Sequence, residues 1–447
     1  MTAGCIRVRR LIVVLSLLFA APGCVGGARA ASEIRDTETE RLLTELVSPL
    51  ARAADIDPAR LRIHIINDDD FNAFVMGGED VYIFTGLLTR VKTPDALRAV
   101  VAHELGHTLG GHLAQMSARM SAELKRSLII QALGIGLMVA GGNPSLGAGV
   151  LAGSGGVATQ SMLAFSRDEE RIADNMGVEL MSRAGLNPGG FVDVFTQMHE
   201  MTAEMESRIN PNRINHPLTT ERLRNVQDRI AALDKKHVSN ASRDAALAAE
   251  YNLVRAKLIG YLDEPARVHT LYPDADKSDA ALYARAIVNM RTGNLRAART
   301  GTSTLISRRP NSPYFYELLG DIEYQSGNYD ASAAAYEKSL TLSSDAPQIQ
   351  TALALVLTER KKPGDVERAI ELCKRALLRA PAPLTYWTLA RAYDGDGRAD
   401  WAMAEYYAMN GKKKQARDYA RRAQDKLDTD SPEYIKAGDI LKNRDRD

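Results

Sequence analysis

The chain has 447 residues, 45% hydrophobic and 25% charged, with 57 basic side chains against 56 acidic ones. These values exclude a wholly disordered chain and a polytopic membrane protein, and a net charge of +1 supplies no field for nucleic acid. Three cysteines are too few for a disulfide scaffold, and the length matches about three average domains.

The first thirty residues read as a secretory signal peptide. Arg7, Arg9 and Arg10 precede an apolar run over residues 11–21, too short to span a bilayer. Ala28-Arg29-Ala30 fits the small-x-small rule for cleavage before Ala31. Two alternatives stay open: a lipoprotein ending at Cys24, or an uncleaved anchor. Cleavage at Ala30 removes Cys5 and Cys24 and leaves Cys373, whose apolar helical surroundings predict buried packing. A periplasmic location follows from this leader.

Next comes a predicted helix over residues 35–54, with Leu42, Leu43, Leu46, Val47 and Leu50 at helical spacing. Residues 61–66 read as a strand, 67–70 as a turn, and 81–84 as a second short strand after Gly77 and Gly78. A long helix starts at Thr93-Pro94, with threonine as cap and proline in the first turn. Residues 128–157 are apolar and glycine-rich. Three readings stay open for them: a buried hairpin, a mobile lid over a site (141–156), or a patch that touches membrane or an unfolded client. No segment after the leader has 18 consecutive apolar residues, which predicts a soluble first domain.

From residue 279 the pattern becomes a repeat with a period near 34. In the copy at 312–347, Tyr316, Leu319, Gly320, Tyr324, Tyr336 and Pro347 stand at tetratricopeptide places. Weaker copies run over 279–311 and 348–383, the latter with an insertion around 361–364. The predicted organisation is a leader (1–30), a first domain (31–235), a helical linker (236–278) and tetratricopeptide repeats (279–440). The fold class is mainly α with a small β-sheet, ending in an α-helical solenoid. Without paired cysteines, the two domains must couple by noncovalent packing.

The chemistry concentrates at His103-Glu104-Leu105-Gly106-His107. Histidines four apart share one helix face and can bind one zinc ion, while the adjacent glutamate can take a proton from its water. A third ligand is needed, and Glu170 is the best candidate. Asp174, one turn later, would accept a hydrogen bond from a ligand histidine, His103 being preferred. His112, five residues past His107, falls on a different helix face and is not counted as a ligand.

H-E-L-G-H followed by S-R-D-E-E-R-I-A-D resembles the zinc metallopeptidases related to HtpX and the CAAX prenyl endopeptidases. The resemblance extends through Asn72-Ala73-Phe74, Gly77-Gly78, Thr85-Gly86-Leu87-Leu88 and an H-P-x-x-x-x-R element from His216 to Arg222. It is closer to the periplasmic branch that joins a metallopeptidase domain to C-terminal tetratricopeptide repeats. It implies that Glu170 is the third ligand, and that His216 is a fourth ligand holding the enzyme inactive or, when displaced, an oxyanion donor. A turn-capping role before Pro217 is the alternative for His216. Arg222 would stabilise the site or bind substrate carbonyls, or else be an ordinary surface arginine. Val81, Tyr82, Ile83 and Phe84 would form an edge strand that pairs with extended substrate, or else an ordinary core strand. One Zn2+ per chain is expected, held in a gluzincin-like zinc metallopeptidase domain over 31–235. The expected partners are unfolded or misassembled envelope proteins and, through the repeats, the outer-membrane assembly machinery. No nucleic acid is expected, and residues 128–157 offer a peripheral membrane contact. Two functions follow: an exported endopeptidase of envelope quality control, or a chaperone or assembly scaffold whose zinc site is mostly closed.

Overall fold

A computed structural model describes residues 32–77, 79–112, 166–205, 216, 219–233 and 241–442. The leader with Cys5 and Cys24, and the apolar stretch 128–157 with its candidate lid, lie outside the described residues. Among the described residues the chain is mostly helical with one four-stranded sheet. Among the described residues, 32–259 with 408–413 form one compact unit, and 260–407 with 414–442 form the other. No described helix is long and apolar enough to cross a membrane.

The first unit opens with strand β1 (Ser32–Ile34) and helix α1 (Thr37–Ala53). The Asp36 carboxylate caps α1 by accepting from the Thr39 N–H at 2.9 Å. Its apolar stripe, Leu42, Leu43, Leu46, Val47 and Leu50, is buried, and each such side chain contributes roughly 1.5–3 kcal/mol of transfer free energy. Strands β2 (Arg62–Asn67), β3 (Ala73–Met76) and β4 (Asp80–Phe84) complete the sheet, in the order β1-β2-β4-β3. β4 runs parallel to β2 and antiparallel to β3. Helix α2 (Thr85–Arg90) leads to α3 (Pro94–Leu109), and α1 packs on β2 while α3 packs on β3.

This topology corrects the reading of Val81, Tyr82, Ile83 and Phe84 as an edge strand. β4 lies between β2 and β3, with Ile83 opposite both Ile65 and Ala73. Its backbone groups are committed on both sides, so it offers no ladder to an extended substrate. The short strand β3 escaped sequence reading because four residues carry too little alternation to register. It returns to the open side of β4 and takes the edge itself.

The outer face of the sheet carries a charged and aromatic row. His64, Tyr82 and Phe74 stack in succession, each pair with centroids 4.5 Å apart. The His64 Nδ1 lies 2.9 Å from Glu33 Oε1, and its Nε2 lies 3.1 Å from Asp80 Oδ1. Burial disfavours the imidazolium, but the bonds to Glu33 and Asp80 outweigh it and raise the His64 pKa above its ordinary value. A raised folded pKa stabilises fully below the unfolded value of about 6.5 and ceases to do so as pH rises through the folded pKa. The stability advantage of the wild type over His64→Phe should therefore shrink as pH rises from about 6.5. Melts of both proteins across pH 5.5–8.5, roughly spanning that titration, check this. An advantage that grows with pH would contradict it.

Helices α4 (Arg167–Arg183), α5 (Gly190–Met205) and α6 (Thr220–Ala231) follow, with α3 packing on α4 and α5 and α6 packing on both. Helix α7 (Ala241–Leu262) falls in the stretch read as a linker. Its fully buried Lys257 places Nζ 2.6 Å from Asp36 and 3.2 Å from Glu38, and the Tyr251 hydroxyl donates to the Val91 carbonyl.

The second unit is a stack of helix pairs. After α8 (Pro265–Leu271) come α9 (Asp279–Arg291), α10 (Leu295–Arg308), α11 (Pro313–Gln325) and α12 (Tyr329–Leu342). Then follow α13 (Pro347–Arg360), α14 (Asp365–Arg379), α15 (Pro383–Ala392) and α16 (Gly397–Met409). α17 (Lys413–Lys426) and α18 (Pro432–Lys442) end the described chain. The first helices of the pairs begin at 279, 313, 347 and 383, two steps of 34 residues and one of 36. The longer step holds the inserted turn, where Lys361 and Gly364 adopt positive φ. The buried Tyr336 hydroxyl bonds Asp321 at 2.5 Å, which ties α12 to α11. Cys373 is fully buried, and burial alone pushes its thiol up to about 12, the signature of packing rather than reactivity.

Candidate metal centre

Helix α3 is built to be enclosed. Thr93 caps it by accepting from the Ala96 N–H at 3.1 Å, and Pro94 opens it. His103, Glu104, Leu105, Gly106 and His107 are all buried. Gly106 permits close approach of α4, since a Cβ there would stand 2.6 Å from the Ala173 carbonyl oxygen. α4 begins with a reciprocal capping box between Ser166 and Glu169. The cap sets the rotation that buries Glu170 and Asp174 one turn apart, facing α3.

Four side chains converge from three parts of the chain. The donor atoms of His103, His107, Glu170 and His216 lie within 4.8 Å of one another. His103 Nε2 is 3.0 Å from His107 Nε2, 3.3 Å from His216 Nδ1 and 3.4 Å from Glu170 Oε2. Glu170 Oε1 is 3.6 Å from His107 Nε2 and 2.7 Å from His216 Nδ1. Ligands at zinc bond lengths of 2.0–2.1 Å stand about 3.3 Å apart when tetrahedral. The observed separations bracket that edge, and three imidazoles with one carboxylate are a donor set that zinc accepts.

Glu104 stands beside this group, its Oε1 3.5 Å from His216 Nε2. Burial raises its carboxyl pKa, partly offset by the neighbouring His216 and His103. Behind the ligand positions, Asp174 Oδ1 lies 2.9 Å from His103 Nδ1. Burial disfavours the His103 imidazolium, yet bonds to Asp174 and Glu170 raise its pKa to about 9. Burial and repulsion by His103 and His216 instead lower His107 to about 2, which leaves it neutral, the ligating form. Arg222, in the first turn of α6, grips both carboxylates. Its Nε and Nη2 donate to Asp174 Oδ2 and Oδ1 at 2.8 Å each, and its Nη1 stands 2.7 Å from Glu170 Oε2. The guanidinium also lies 5.2 Å from the Phe195 ring centroid.

The comparisons with known proteins agree with this geometry. The model of peptidase family M48 matches residues 37–230. The chain carries an M48 metallopeptidase domain. The tetratricopeptide model matches residues 283–347 and 318–384. The chain is 25% identical over 392 residues to a beta-barrel assembly-enhancing protease of Yersinia pestis, covering 84% of this chain and 78% of that one. It is 26% identical over 298 residues to the protein of that name in Escherichia coli K12, and there it covers 65% of this chain and 59% of the relative. The chain thus spans about three fifths of the length of the latter. A further relative is the metalloprotease LoiP of Escherichia coli, 25% identical over 198 residues, 44% of this chain and 73% of that one.

Within the M48 domain, His103, His107, Glu170 and His216 form the cluster, with Glu104 next to it. Asp174 and Arg222 stand behind it, and Arg222 is buried rather than a surface arginine. The strand residues Val81 to Phe84 do not supply an edge. His112 was passed over because helical spacing points it away from His107. The helix ends first: Gly110 closes it and Gly111 turns with φ +67. The backbone leaves the helical path there, and His112 Nδ1 comes to 3.0 Å from His107 Nδ1. The adjacent Gly110-Gly111 pair was the available signal.

Proposed function

We propose that this chain is an exported zinc endopeptidase acting in quality control of envelope proteins, in the periplasm, with its repeats recruiting clients or the outer-membrane assembly machinery. The observation that carries the reading is the convergence of His103, His107 and Glu170 with Glu104 alongside. The printed names of the relatives, beta-barrel assembly-enhancing proteases, support the choice of client class. His103, His107 and Glu170 would hold Zn2+, which when bound supplies Lewis acidity toward a peptide carbonyl and lowers the pKa of water. Glu104 accepts the proton of the attacking water and returns it to the leaving amine, a role suited to a carboxyl whose pKa burial has raised. Asp174 fixes the tautomer of His103, so that Nε2 faces the cluster. Arg222 holds both carboxylates in place.

His216 takes the fourth corner, where it would compete with water and keep the site closed. Its place in the cluster also favours a second reading, a scaffold whose peptidase is mostly idle. One experiment addresses both. The purified chain and a His216→Ala variant are incubated with an unfolded outer-membrane β-barrel protein, with and without chelation and zinc repletion. The variant should cleave several-fold faster, and chelation should stop both. Absence of metal-dependent cleavage by either protein would overturn the peptidase reading. Equal rates would overturn only the gate.

A further inference from the structure

His103 and His107 share one geometry. Each points Nε2 into the cluster and Nδ1 away from it. An imidazole that ligates through Nε2 and is neutral carries its proton on Nδ1, and that proton needs an acceptor. For His103 the acceptor is Asp174, itself clamped by Arg222. For His107 the group at that position is His112, 3.0 Å away through Nδ1 and only 2% exposed. Its ring meets that of His107 edge-on, with centroids 5.1 Å apart. His112 Nδ1 can accept only if the His112 proton sits on Nε2.

This placement is built. His107 lies in the last turn of α3. Gly111, in the left-handed region at φ +67, departs from the helical path there. A Cβ at Gly110 would stand 2.6 Å from His112 Nε2, so only glycine at 110 leaves the ring where it is.

We infer that His112 is a positioning residue of the metal centre: it accepts the Nδ1 proton of His107 and fixes that ring's tautomer and rotation for ligation through Nε2. The two ligand histidines are thus held by acceptors of different charge, a carboxylate behind His103 and a neutral imidazole behind His107. This asymmetry limits the negative charge gathered around one divalent cation. The inference rests on the reading that His103, His107 and Glu170 hold zinc.

The test measures zinc affinity of the full chain by competition with a chromogenic chelator. His112→Phe keeps a ring and removes the acceptor; His112→Asn removes the ring but places an amide oxygen where Nδ1 stands. Loss of such a partner typically lowers metal affinity about 10–100-fold. The phenylalanine variant and Gly110→Ala should show that loss, and the asparagine variant should recover most of it. Melting of the metal-free proteins should be alike, which a merely structural role would not produce. Nitrogen NMR of the zinc-loaded wild type, which needs no variant to fold, should find His112 protonated on Nε2. Wild-type affinity in His112→Phe, or a His112 proton on Nδ1, overturns the inference and leaves the metal reading intact. A wild type that binds no zinc overturns both.

Discussion

A Glu104→Gln variant should cleave an unfolded β-barrel client about 10²–10⁴-fold more slowly than the wild type, the usual contribution of general acid–base catalysis. Glutamine keeps the shape of the side chain and loses the site that takes a proton. Glu104 is not one of the four converging donors, so metal content should equal that of the wild type. Stability should not fall either. Burial already disfavours the Glu104 carboxylate, and a neutral amide in its place relieves that cost. Cleavage rate, bound zinc and melting temperature are therefore measured together. A variant that cuts at the wild-type rate would sink the role given to Glu104. A variant that has lost its zinc would show Glu104 to be part of the binding set instead.

The second large effect concerns stability. Arg222→Ala removes the guanidinium that neutralises Asp174 and Glu170, both essentially inaccessible to solvent. Breaking a buried pair by deleting one partner costs about 3–5 kcal/mol, because the surviving charge stays buried without compensation. Here one cation serves two carboxylates. For a unit of about two hundred residues this corresponds to a melting temperature lowered by roughly 10 °C. An internal comparison lies on the same helix. Arg229 and Glu179 pair at 2.9 Å with both side chains 45% exposed, and exposed pairs contribute about 0–1 kcal/mol. Arg229→Ala should therefore leave the transition nearly unmoved. Both tryptophans, Trp387 and Trp401, belong to the repeat unit. Tryptophan fluorescence thus follows the repeats, and the peptidase transition is the part of the calorimetric unfolding of the metal-free chain that fluorescence does not follow. Equal shifts for the two arginine variants would refute the clamp. Adding Asp174→Asn to Arg222→Ala should recover part of the loss by removing one stranded charge.

Features legible in the sequence share one property: each is set by spacing within one element or between elements adjacent in the chain. The i, i+4 histidines of α3 and the i, i+4 carboxylates of α4 each define one helix face before any folding is considered. Period-34 repetition likewise places paired helices from 279 onward, because small residues and aromatics recur where neighbouring helices touch. Thr93-Pro94 marked the start of α3 by cap chemistry that acts over three residues.

The rest depended on contacts between distant segments. Strand β4 reads the same at an edge or in the middle of a sheet; its place between β2 and β3 comes from pairing across the chain. His112 was misplaced because helical geometry was carried past Gly110, where the backbone had already turned. Arg222 is singled out in the sequence only by the H-P-x-x-x-x-R resemblance, with its role open; its pairing with Asp174 and Glu170 emerges when α6 packs on α4. The sequence by itself determined the two domain types, their order and the residue types of the metal-binding helices, since these follow from local spacing and capping. Only the tertiary structure decided which strand lies inside the sheet, which histidine backs His107 and which cation balances the buried carboxylates. Those outcomes depend on which segments meet when the core closes, and burial then makes each meeting count by removing the water that would otherwise compete.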